Sequence, residues 1–223
     1  MDARDTLQRI AQTGIVPVVR AASGEEALAV VDAIRAGGID VIELTMTVPG
    51  AVEVIRELAR RYGDEVLLGA GTVLDAETAR ACMLAGARFV VSPIVDLPTI
   101  ACCRTYDVPV MPGALTPTEV VRAWQAGAAM VKVFPCNAVG GASYVKALKA
   151  PLPQILLVPT GGDTLENVGD FIRAGADAVG AGADLADVKK VRAGAAADVS
   201  ERARRYVEAI AQARAGLPRT SKP

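Results

Sequence analysis

The chain has 223 residues, enough for one domain or at most two, and 52% of them are apolar, which supports a substantial core without disulfides. Its 24 basic and 25 acidic residues leave a net charge of −1 and are spread along the chain, so neither a nucleic-acid-binding patch nor an acidic disordered tail is expected. The absence of any histidine excludes Ser-His-Asp triads, HExxH metal sites and imidazole acid–base chemistry, leaving that work to Glu, Asp, Lys, Tyr or Cys.

At the start, MDARDTLQRI lacks the charged-then-apolar layout of a secretory signal. No later apolar run approaches the ~18 residues of a membrane span, so a cytoplasmic protein with no membrane partner is expected. The segment 5–12 is expected to cap the bottom of the domain that follows. Strands are predicted at GIVPVVR (14–20), within AGGIDVIEL (36–44), at LLGAGT (67–72), within AGARFVVSP (85–93), at PVMPGA (109–114), within AGAAMVKVF (126–134), at ILLVPTGG (155–162) and within AGADAVGAG (174–182). Helical periodicity alternates with them in EEALAVVDAIRAG (25–37), AETARACMLAG (76–86), TEVVRAWQAG (118–127) and LENVGDFIRAG (165–175). Every second unit opens on Ala-Gly. Gly37, Gly86, Gly127 and Gly175, spaced 49, 41 and 48 residues apart, are expected to end helices in the left-handed conformation. Eight such units predict a single-domain (β/α)8 barrel of the TIM type over residues 1–216, with a loose tail over 217–223. An open doubly wound sheet fits less well, because the repeat runs to the end and no GxGxxG follows the first strand. Cys82, Cys102, Cys103 and Cys136 show neither CxxC nor disulfide-framework spacing and read as reduced thiols.

In such a barrel, reactive groups belong at the C-terminal ends of strands, and alternate side chains point inward. Arg20 ends the first strand, where its guanidinium is placed to hold a carboxylate in two-point fashion. Glu43 interrupts Val41-Ile42-Glu43-Leu44-Thr45 on the parity opposite to Ile42 and Leu44, and a carboxyl inside a barrel is costly unless paired or functional. The competing reading of Glu43 is a structural ion pair with Lys132 or Arg20. Thr72 ends Gly69-Ala70-Gly71-Thr72 and offers either a substrate-binding hydroxyl or a helix cap. Lys132, in Met130-Val131-Lys132-Val133-Phe134-Pro135, is predicted to face inward while the two valines face the helices. The chain carries 18 Arg and only 6 Lys, and Lys132 is the first Lys. Arginine cannot form an imine, so a lysine kept on an apolar strand points to an amine nucleophile. A buried structural ion pair is the competing reading here too. Cys136 reads as packing. Gly161, Gly162 and Gly182, after the seventh and eighth strands, lie where barrels commonly bind phosphate on bare N–H groups. Asp163, with capping-box spacing to Glu166, would compete with a phosphate for those donors.

Taken together, GIVPVVRA, GGIDVIELTMTVPGA, LLGAGTVL, FVVSP, MPGALTPTE, VKVFP, VKALKAPLP and LVPTGG resemble the 2-keto-3-deoxy-6-phosphogluconate (KDPG) aldolase family, with which the 4-hydroxy-2-oxoglutarate aldolases are grouped. The resemblance spans almost the whole chain. It implies a class I aldolase that needs no metal or other cofactor, with a Schiff base on Lys132 and Glu43 as general acid/base. It further implies that Arg20 and Thr72 hold the pyruvate carboxylate, that Pro93 and Phe134 shape the ketoacid pocket, and that Gly161, Gly162 and Gly182 receive the far end. The small-molecule partner would be a 2-keto-3-deoxy sugar acid, first of all 2-dehydro-3-deoxy-6-phosphogluconate, and the assembly a homotrimer. Two departures stand out. Thr45, Met46 and Thr47 occupy a stretch where some members carry an arginine, so Arg20 has to supply the cation. Ala183, followed by Asp184, stands where members often have a phosphate-binding serine.

Overall fold

The structure is a computed structural model that describes residues 2–217. Eight parallel strands form the barrel: β1 (Ile15–Val19), β2 (Val41–Thr45), β3 (Leu67–Gly71), β4 (Phe89–Val91), β5 in two pieces (Val110–Met111 and Gly113–Ala114), β6 (Val131–Val133), β7 (Leu157–Pro159) and β8 (Val179–Ala181). Pro112 splits β5 because proline has no N–H to give the ladder. Its carbonyl still accepts from the Lys132 N–H at 2.9 Å, so β5 continues into β6. The ring closes where β8 pairs with β1, Ile15 opposite Val179, and where a Thr160–Gly180 bridge joins β7 to β8. The predicted (β/α)8 barrel is the observed fold.

Helix α1 (Ala3–Thr13) precedes β1, and the others follow strands: α2 (Gly24–Ala36), α3 (Ala51–Tyr62), α4 (Ala76–Ala85), α5 (Leu97–Thr105), α6 (Pro117–Gln125), α7 (Ala142–Lys149), α8 (Val168–Arg173), and, both after β8, α9 (Val188–Arg192) and α10 (Ala196–Ala215). Ser23, Asp75, Asp96 and Thr116 start their helices by accepting the N–H three residues on. Gly86, Gly127 and Gly175 are left-handed as expected, but Gly37 is not: its φ is −85°, and Gly38 takes the positive value, 93°. Gly37 is needed for a different reason. A Cβ there would lie 2.3 Å from the Ser200 carbonyl oxygen, where α10 crosses α2.

The helix expected over 165–175 starts only at Val168, because the Asn167 carboxamide accepts the Thr164 N–H at 2.8 Å and holds the preceding residues as a turn. Asp163 is therefore not a helix cap. Its side chain turns back and accepts the Gly161 N–H at 2.9 Å.

Two apolar layers result from strand alternation. Ile42, Leu44, Val131 and Val133 pack outward against the helices. Val16, Val41, Leu67, Phe89, Met111, Met130 and Val158 fill the barrel interior, and α1 plugs its bottom with Ile10, flanked by Leu7 and Ala11. Burying each large side chain of this kind stabilises by about 1.5–3 kcal/mol. At the chain's other end, the Arg214 guanidinium donates to the Ala11 and Gln12 carbonyls and ties α10 to that plug. Of the segment expected to be a loose tail, residues 218–223 lie outside the described residues. Among the described residues, no helix is long and apolar enough to cross a membrane.

Candidate active site

β2 and β6 stand four strands apart in a ring of eight, so their inward side chains meet across the barrel axis. Glu43 lies in register with Val18 and Gly69, and Lys132 with Gly113 and Val158. Their charged atoms, Glu43 Oε1 and Lys132 Nζ, are 4.0 Å apart, with side chains only 3% and 4% exposed. That separation is too long for a hydrogen bond. Glu43 Oε1 is buried without a hydrogen-bond partner, an arrangement that costs stability unless something else fills the gap. An oxygen atom placed off the line between the two groups reaches both. The alternative ion pair, Glu43 with Arg20, does not form.

Small residues make room for this pair. A Cβ on Gly71 would lie 2.0 Å from Glu43 Oε1, so the carboxylate rests directly on the bare backbone of β3. Sequence reasoning did not single Gly71 out. Its signal was available as a glycine on the inward parity of an otherwise apolar strand. A Cβ on Gly113 would lie 2.3 Å from the carbonyl of Pro93, which brings the end of β4 against the strand beside Lys132. The Phe134 ring centroid is 5.2 Å from Lys132 Nζ, within cation–π range.

Thr72 follows β3 with φ 58°, a left-handed conformation that a β-branched residue adopts only under constraint. The cap of α4 is Asp75, so the capping alternative for Thr72 falls away. Arg20 is exposed at the barrel mouth and makes no ion pair among the described residues. It lines a cleft of about 310 Å³ with Val18, Ala183, Asp187 and Lys189, and a Cβ on Gly182 would sit 3.8 Å from its guanidinium. Nearby, Thr45 donates to the Val19 carbonyl at 3.1 Å and shares a 2.6 Å hydrogen bond with Thr47, so these hydroxyls knit β2 to β1.

The far end of the mouth is built from the loops after β7 and β8. Gly161 and Gly162 have φ 101° and 77°, and Asn137, also missed by sequence reasoning, packs over both. Asp163 is buried behind them with Oδ2 unpartnered. Burial pushes its carboxyl up to about 6, against the hydrogen bond from the Gly161 N–H that favours the charged form, and the nearby Asp184 adds to the rise. Asp184 behaves oppositely. Burial raises it, but Arg202 in two-point contact, the Tyr206 hydroxyl and the Leu165 N–H together hold it below the usual carboxylate range. Cys136 is buried, and its thiol is pushed up to about 11 by that burial and then by Asp163, which leaves no useful thiolate at neutral pH.

The barrel sets an opposed lysine and glutamate on its axis and glycine-lined loops at the C-terminal ends of its strands, the end at which enzymes of this fold class carry their active sites. The model of the KDPG and KHG aldolase family matches residues 7–202, and the chain belongs to that family. It is 39% identical over 158 residues to the 2-dehydro-3-deoxy-phosphogluconate aldolase of Treponema pallidum, covering 71% of this chain and 75% of the relative. It is 38% identical over 172 residues to the 2-dehydro-3-deoxy-6-phosphogalactonate aldolase of Escherichia coli, covering 77% and 83%. Among solved structures, a KDPG aldolase from Legionella pneumophila with pyruvate captured as a covalent carbinolamine superposes with a TM-score of 0.83 at 28% identity, covering 89% of this chain and 96% of that one. A thiamine phosphate pyrophosphorylase from Pyrococcus furiosus shares the fold alone, with a TM-score of 0.70 at 18% identity.

The seat of Glu43 yields a direct expectation. Gly71→Ala forces the carboxylate away and lowers the aldol-cleavage kcat by at least about tenfold, toward the ~10²–10⁴-fold that complete loss of a general acid/base costs. Near-wild-type kcat in a Gly71→Ala protein that still melts cooperatively would show that Glu43 does not need this position.

Proposed function

We propose that the chain is a class I aldolase that cleaves a 2-keto-3-deoxy sugar acid to pyruvate and an aldehyde through an imine on Lys132. The observation that carries this is the 4.0 Å gap between the buried Lys132 Nζ and the unpartnered Glu43 Oε1. The amine adds to the C2 carbonyl, and the resulting carbinolamine hydroxyl lies within reach of Glu43. Glu43 passes it a proton, water leaves, and the iminium forms. As the C4 hydroxyl gives up its proton to Glu43, the C3–C4 bond breaks and its electron pair moves to C3, leaving an enamine on Lys132 and a free aldehyde. Protonation of C3 and hydrolysis return the amine and release pyruvate. No metal or other cofactor enters these steps.

Arg20 and Thr72 hold the substrate carboxylate in this reading, since neither hydroxyl of Thr45 and Thr47 replaces a cation. Pro93 and Phe134 wall the ketoacid, and Phe134 favours the cationic imine through its ring face. Gly161, Gly162 and Gly182 border the aldehyde half. 2-Dehydro-3-deoxy-6-phosphogluconate is the expected substrate from the family; its galactonate epimer, 4-hydroxy-2-oxoglutarate and unphosphorylated analogues present the same C1–C4 atoms. A phosphate-binding isomerase or synthase, in which Lys132 acts only as a charge, is the rival from another class.

Reduction with borohydride in the presence of pyruvate separates the two. The aldolase yields a stable adduct at Lys132 by peptide mass spectrometry, and Glu43→Gln lowers turnover by about 10²–10⁴-fold. Active enzyme that gives no adduct would refute the imine.

The same reading makes the protein a cytoplasmic homotrimer. Exposed Leu84, Leu97 and Trp124 on α4, α5 and α6 supply apolar surface for such an assembly. Sedimentation equilibrium should give three times the 23.0 kDa chain mass, and a monomer at micromolar concentration would rule the trimer out.

A further inference from the structure

The loops after strands seven and eight of these barrels commonly bind phosphate through unpaired backbone N–H groups. In this chain one of those donors is already used. The Gly161 N–H donates to Asp163 Oδ1 at 2.9 Å, and the carboxylate is only 7% exposed. Its negative charge is also uncompensated. Asp184 is neutralised by Arg202, whose guanidinium lies 2.5 Å away, whereas Asp163 enters no ion pair. The Ala183 side chain is a methyl group and offers no donor. Asn137, seated on Gly161 and Gly162, adds a neutral amide.

We infer that Asp163 is a specificity-determining residue that fills the phosphate cradle from within and biases this aldolase toward 2-keto-3-deoxy acids whose far end carries hydroxyl groups and no phosphate. The inference rests on the aldolase reading above and concerns only the aldehyde half. A phosphate placed on the Gly161 N–H must displace a carboxylate and then sit beside it, two anions in a poorly solvated corner. A hydroxyl group meets the opposite situation. Asp163 Oδ2 is buried and lacks a donor, and an O–H supplies one. The burial that raises the Asp163 carboxyl to about 6 still leaves it mostly ionised at neutral pH, so the repulsion persists there. Of the cations around this end, Arg202 is engaged by Asp184, Arg20 is committed to the substrate carboxylate in that reading, and Lys189 stands exposed.

The test compares kcat/KM for 2-keto-3-deoxygluconate and its 6-phosphate in wild type, Asp163→Asn and Asp163→Val. The wild type is expected to favour the unphosphorylated acid. Asp163→Val, which removes the charge and frees the Gly161 N–H, should move the ratio at least tenfold toward the phosphate ester, with Asp163→Asn between. A wild type that favours the phosphate ester, or a ratio that moves less than tenfold in a folded valine variant, overturns the inference. If the variants do not fold, the wild type alone still decides. Inorganic phosphate at 10 mM, a concentration of about the order of weak anion sites, should leave cleavage of the unphosphorylated acid unchanged; competitive inhibition there overturns the inference. Borohydride trapping of pyruvate on Lys132 in the same preparation keeps the two levels apart. An adduct together with a preference for the phosphate ester sinks only this inference, and no adduct sinks the aldolase reading itself.

Discussion

The structure turns on one opposition, a lysine and a glutamate facing each other across the axis of a closed barrel. Closure itself produces it. Strands four apart in an eight-membered ring point their inward side chains at one another, and here those strands carry Lys132 and Glu43. Neither group has bulk water nearby, and the 4.0 Å between them leaves the Glu43 oxygen without a donor. Removing one partner from such a pair would leave a lone buried charge, so the two residues stand or fall together. The surrounding barrel is built to tolerate the arrangement. Apolar side chains fill the bottom, Gly71 and Gly180 leave room for the side chains of Glu43 and Thr160, and Gly113 leaves room for the Pro93 backbone.

Much of this was legible in the sequence because strand alternation is a strict rule. Val131 and Val133 face the helices and Met130 faces inward, which places Lys132 inside; Ile42 and Leu44 do the same for Glu43. The closed barrel was legible from the Ala-Gly repeat, even though one glycine serves a different purpose. Gly37 permits α10 to cross, and its neighbour Gly38 makes the turn. That distinction depends on a helix some 160 residues later, which no local pattern can report.

What stayed hidden were contacts between units. Gly71 matters because Glu43 from the neighbouring strand lies on it, and Asn137 because its loop folds over Gly161 and Gly162. The left-handed backbone of Thr72 cannot be inferred from a residue type that normally avoids it. Asp163 has the spacing of a helix cap to Glu166 but does not serve as one. The turn held by Asn167 delays the helix and lets the carboxylate swing back to Gly161. Local pattern thus put Lys132 and Glu43 inside the barrel, whereas the far end is set by tertiary contacts.

Exchange of the pyruvate methyl protons in D2O, followed by proton NMR, tests the central opposition most directly. Exchange needs an imine to acidify C3 and a base beside it, so it reads both members of the pair without any aldehyde present. Enzyme-dependent exchange is expected in the wild type, none in Lys132→Met, and a rate reduced by about 10²-fold or more in Glu43→Gln. Exchange at the wild-type rate in either folded variant would contradict this expectation.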